Sequence, residues 1–133
     1  MFSSPRKKKF TALSLLEAER FAIMERIAEV QRSIDALEVH ADACIKAGLE
    51  EPLKEVRLTS SFFIFKSFPF INPILKKDLD SLSFDLQQSA RLFEAAMENL
   101  CSASKGKLDI MPALTPLKGS IQALLKALSL RSS

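Results

Sequence analysis

One spacing constrains this chain more than any other feature. From Leu16 the steps alternate between four and three residues: Leu16, Arg20, Ile23, Ile27, Val30, Ile34, Leu37, Ala41 and Cys44. Steps that average 3.5 residues keep a single stripe on one side of an α-helix, and a stripe of this kind is made to pack against other helices. Charged residues fill the other faces, and Arg20 is the one charged member of the stripe. The spacing predicts a helix over 11–47, stopped by Gly48. Phe21, Met24 and Ala28 add a second apolar flank near its start, so the helix is expected to meet at least two neighbours there.

The pattern returns at Leu75, Leu79, Leu82, Leu86, Ser89, Phe93, Ala96 and Leu100, which predicts a second long helix over 74–102. Between the two, Pro52 suits the first turn of a helix, and Leu53, Val56, Ser60 and Phe63 are spaced for a short one over 52–65. The run from Leu58 to Phe70 is β-prone in composition, and Pro69 and Pro73 are expected to force a break. Leu114, Leu117, Ile121, Leu124 and Leu128 predict a last helix over 112–130. Pro116 is compatible with it only near its first turn; otherwise the helix would start there. Three glycines and the absence of Tyr and Trp are a poor supply for a β-sandwich or barrel. The expected fold is therefore all-α: an elongated helical bundle or coiled coil of three to four helices, two of them long and heptad-patterned. Residues 1–10 read as a disordered basic tail, and 11–131 as a single helical domain.

Length then bears on function. A helix over 11–47 would run about 55 Å at 1.5 Å per residue. A compact domain of 133 residues is roughly 36 Å across. Either the helix bends or breaks, or the molecule is a rod that leaves part of its apolar seam for another chain; the rod is the favoured reading.

Charge is unevenly placed. The net charge is +3, yet Arg6, Lys7, Lys8 and Lys9 alone supply four positive charges, so the remainder is close to neutral at −1. A nucleic-acid-binding domain usually carries its basic stripe on the fold itself, which leaves only a basic arm as a nucleic-acid contact. Pro5 to Lys9 resemble a short nuclear-import signal. Ser4-Pro5 makes Ser4 a candidate phosphosite, where phosphate would add about −1.5 to −2 charges beside the cluster. Ser-Pro-Arg-Lys also resembles the minor-groove-binding motifs of histone tails. The expected location is nuclear or cytoplasmic. Residues 1–16 are basic, contain serines and lack acids, so a mitochondrial presequence is the alternative.

The segment from Phe62 to Ile71 holds Phe62, Phe63, Phe65, Phe68 and Phe70, half of the ten phenylalanines. Burying each ring is worth about 1.5–3 kcal/mol, so they must be covered. They either plug the end of a bundle or form a patch that a partner or sister subunit covers. Phe84 falls on an outer position of the second heptad and suggests a further contact face, with Leu92 adding weakly. The expected partner-binding residues are Leu16, Ile23, Ile27, Val30, Ile34 and Leu37 of the first seam with Phe62, Phe63, Phe65, Phe68, Phe70 and Phe84. Arg20 either fixes helix register or packs its stem while the guanidinium reaches water.

Signals for chemistry are absent. There is no Gly-rich phosphate loop, G-x-S-x-G or H-E-x-x-H motif. One histidine, His40, and two widely spaced cysteines, Cys44 and Cys101, make no recognisable zinc site. Acidic pairs such as Glu25/Glu29 and Asp78/Asp80 lie off the seams. No stretch approaches the ~20 apolar residues of a spanning helix. The chain reads as a non-enzymatic helical scaffold or adaptor subunit of a multiprotein assembly, without cofactor, metal or small-molecule substrate. Its partners would be other helical subunits or itself. The alternatives are a nuclear protein anchored on nucleic acid by its tail, and a bacterial or viral helical effector that binds a host protein.

Overall fold

The computed structural model describes residues 5–71 and 79–132, with side chains from Glu17 to Leu130 inside those spans. Five helices follow one another: α1 (Pro5–Glu38), α2 (Ala41–Lys46), α3 (Glu50–Ile71), α4 (Leu79–Ser104) and α5 (Met111–Ser132). No strand occurs among the described residues.

Side-chain contacts fix how the helices run. Arg20 in the middle of α1 donates to the Phe70 carbonyl near the end of α3 at 3.1 Å, while Glu38 at the end of α1 pairs with Arg57, so α1 and α3 are antiparallel. Phe63 of α3 meets Phe93 of α4, with ring centroids 6.1 Å apart, and α4 returns along α3. Lys118 pairs with Glu98, and Gln87 donates to Ser129 at 3.2 Å, which sets α5 antiparallel to α4. Ser33 and Ser120 lie 3.3 Å apart and close the ring between α5 and α1. The four long helices thus form an up-down-up-down bundle in the order α1, α3, α4, α5 and back to α1. Short connections between antiparallel neighbours make this the natural topology.

The core runs along the bundle axis. Ile23, Ile27, Val30 and Leu37 from α1, Leu53, Val56, Phe63 and Phe70 from α3, Leu86, Phe93, Met97 and Leu100 from α4, and Leu114, Leu117, Ile121, Leu124 and Leu128 from α5 are all buried. Leu75, in the second heptad, lies outside the described residues.

Several expectations need correction. The first helix does not run unbroken to Ala47: it ends at Glu38, turns at Val39–His40, and α2 resumes at Ala41. No Gly or Pro marks that turn, and Leu37, Ala41 and Cys44 stay buried on either side of it. The chain bends while its apolar stripe keeps facing the core. The seam expected to await another chain is covered by this chain's own helices from Ile23 to Cys44. At the other end the helix includes residues 5–10, where an unstructured tail was expected, with Pro5 at a first-turn position that needs no N–H donor.

Gly48 stops α2 as its position suggested. It adopts φ +80°, and the Leu49 and Gly48 amides donate back to the carbonyls of Cys44 and Ile45. This is the Schellman arrangement, with buried Leu49 beside Cys44 as its hydrophobic contact.

α3 continues six residues past the expected end at Phe65 and contains Pro69 in its last turn. There the missing N–H removes a single helical bond, to the Phe65 carbonyl. Burial of Phe63, Ser67 and Phe70 at helical spacing overrides the β-prone composition. Pro116 lies sixth in α5, and the helix nevertheless starts at Met111, where Asp109 Oδ1 accepts the Met111 amide at 3.2 Å.

Candidate docking surface

The helical path of α3 divides its aromatic segment between two faces. Leu53, Val56, Ser60, Phe63, Ser67 and Phe70 recur every three or four residues and point into the core. The rings between them must then point away. Phe65 is 70% exposed, Phe68 52% and Phe62 43%, and Leu58, Ile64 and Ile71 are exposed with them. A helix apolar on every side is normally surrounded by protein. Here the bundle covers only one side of α3.

The outward face has few polar groups. Lys66 is the only charged residue of α3 after Arg57. Its ammonium lies 5.4 Å from the Phe62 ring centroid and 6.0 Å from that of Phe65, within the range of cation–π attraction. On the α4 side, Leu92 is exposed beside Thr59, Glu55 and Pro52, in a shallow groove continued by Ala95 and Asn99. On the α1 side, Phe21 is 55% exposed.

Arg20, which precedes Phe21, ties this face to the bundle. Its Nε donates to the Phe70 carbonyl, and its Nη1 lies 3.2 Å from Glu17. The last carbonyls of a helix lack intrahelical partners and carry partial negative charge, so a guanidinium is a suitable cap for α3. The charged exception in the first heptad therefore holds the register of α1 against α3.

The residues expected to bind partners fall into three groups. Ile23, Ile27, Val30, Leu37, Phe63 and Phe70 lie in the chain's own core, with Ile34 half-buried against it. Phe62, Phe65, Phe68 and Phe84 are exposed, Phe84 on the outer side of α4. Leu16, Arg6, Lys7, Lys8, Lys9 and Ser4 lie outside the described side chains. Ile71 was missed because the helix was expected to stop at Phe65, and Leu58 and Ile64 because they lie off the Leu53–Phe63 stripe of that helix. Phe21 was expected to meet a second helix and instead faces outward.

Several titratable groups are shifted by their neighbours. The hydrogen bonds from Arg57 hold the Glu38 carboxyl below its ordinary value. Burial pushes the Cys44 thiol up, so it stays protonated and poorly nucleophilic. The Glu98 carboxylate raises Lys118. Among the described residues no group of three or more His, Cys, Asp or Glu is placed to hold a metal ion. Among the same residues no helix is long and apolar enough to cross a membrane. Comparison with known protein families, curated proteins and solved structures finds no match to this chain.

Proposed function

We propose that the chain is a non-enzymatic helical scaffold or adaptor subunit that works by docking protein through the outward face of α3. One observation carries this reading: α3 holds six large apolar side chains in water, opposite a row that is already buried. Exposed apolar area on this scale marks an interaction surface in soluble proteins. Two features support a non-catalytic role. The buried cysteine is protonated, and the perturbed carboxylate of Glu38 is occupied by an arginine on the surface.

The test is cross-linking mass spectrometry of the full chain in its native source, comparing the wild type with Phe65→Ser. Cross-links from α3 to a protein chain that vanish in the variant are expected. Identical cross-links in both would remove the docking role from this face.

A further inference from the structure

The geometry points to a second copy of this chain as the occupant of the outward face of α3, in a two-fold symmetric dimer. The inference rests on the docking reading and names the partner.

Area comes first. Phe21, Phe62, Phe65 and Phe68 are 43–70% exposed, and Leu58, Ile64, Ile71 and Leu92 are 41–59% exposed. At typical side-chain areas these sum to roughly 600–800 Å² of exposed apolar surface, most of it on the outward face of α3 with Phe21 and Leu92 on its two flanks. A standard protein interface takes ~800 Å² from each partner. One such patch therefore nearly suffices for a dimer without help from the rest of the surface.

Charge selects the partner. A two-fold interface sets one patch against itself, so any concentrated charge would meet its own like. This patch passes that requirement: from Leu58 to Ile71, Lys66 is the only charged residue of α3, and it lies half-buried at the edge against Phe62 and Phe65. Discrimination among foreign helices uses charged or polar pairs, and the face offers almost none. An anionic bilayer is also disfavoured. Surface-lying helices carry many Lys and Arg on their polar side, whereas the charged residues of α3 are Glu50, Glu51 and Glu55 against Lys54, Arg57 and Lys66, with no net positive charge. Leu58, Phe62 and Phe65 stand at i, i+4 and i+7, a row that packs against its own reverse when two copies of α3 cross.

The experiment is sedimentation equilibrium on the full chain over roughly 1–200 µM. A reversible dimer in the micromolar range is expected. Phe65→Lys should weaken it about 100-fold or more, with helical circular dichroism unchanged because the side chain is mostly in solvent. Phe65→Ser reads the same contact if the lysine variant loses helicity. Phe65→Glu should be monomeric alone and should pair with Phe65→Lys when the two are mixed, a rescue that only self-pairing through this face produces. Leu130→Lys, exposed on α5, should leave the dimer intact.

A chain that stays monomeric throughout overturns the inference, as does a dimer indifferent to Phe65→Lys. Flotation on anionic vesicles that depends on Phe65 would reassign the face to lipid. If the chain is monomeric while Phe65-dependent cross-links to another protein persist in its source, docking stands and the second copy falls. If those are also absent, both fall.

Discussion

Helices α3 and α4 lie against each other over most of their lengths, yet they sort their residues differently. In α4, Leu82, Leu86, Phe93, Met97 and Leu100 face the core while Gln88, Arg91, Glu98 and Asn99 face water, with Phe84 and Leu92 as isolated exceptions. In α3, the inward row is matched by an outward row of equal apolarity from Leu58 to Ile71. The bundle nearly completes α4, whose only exposed large apolar residues are Phe84 and Leu92. It leaves α3 half covered. The fold and the proposed docking face thus draw on the same helix, and the contrast can be probed by substituting the two rows separately.

The largest effect is expected on the inward row. Phe63 is fully buried and its ring packs at a 40° tilt against Phe93. Phe63→Ala should lower the unfolding free energy by about 3–5 kcal/mol, read by urea denaturation of dilute protein. A loss under about 1 kcal/mol would mean that the inward face is not the one anchored in the core.

The next effect is stabilising. Among the described residues five serines are buried in the bundle. Ser60, Ser67, Ser89 and Ser104 donate to the carbonyl three residues earlier, at 2.7–2.9 Å. Ser83 alone of the five has no partner for its hydroxyl. Ser83→Ala should raise stability by about 1 kcal/mol in the same measurement, and Ser89→Ala should not. This sharpens the comparison inside α4, since it separates a finished core position from one that still carries a penalty.

These residues also show what could be read before the structure. The heptad residues Leu82, Leu86, Ser89, Phe93, Ala96 and Leu100 do lie on the buried side of α4, because a helix with charges on its other faces has only one way to turn. The helix's length allowed for a bend or break, but its place at Val39–His40 was illegible: no glycine or proline marks it, and the stripe continues through it. The extent of α3 was illegible for the opposite reason. Pro69 signalled an end that a last turn can tolerate, and the β-prone run hid a helical division. The segment was recognised as needing cover, but which rings face inward depends on helical phase. Continuing the helix to Ile71 sets Phe70 on the buried row with Phe63, and Phe68 on the exposed side with Phe62 and Phe65.

A smaller effect belongs to the α1–α3 contact. Glu38 is the last residue of α1, where a carboxylate is poorly placed against the helix dipole, and the bidentate pairing with Arg57 at 2.9 and 3.0 Å offsets this. Because Arg57 holds the folded-state value below the ordinary one near 4.5, the stabilisation is fully present above that value. It disappears as pH falls through the lower folded-state value. Glu38→Gln should cost about 1–3 °C of melting temperature at pH 7, as expected of an exposed pair. The gap from wild type should close in acid. A gap that persists once Glu38 is protonated would assign the loss to packing.

The smallest effect is expected on the outward row, and it is the one that most directly tests the contrast with α4. Phe65→Ser removes a ring that is 70% exposed, so in dilute protein the unfolding free energy should move by no more than about 0.5 kcal/mol. Concentration should then separate the two proteins. Association stabilises the folded state by mass action, so the wild-type melting temperature should climb as protein concentration rises, while that of the variant should stay flat. If Phe65→Ser lowers the melting temperature equally at every concentration, the ring supports the monomer itself, and α3 is as complete as α4.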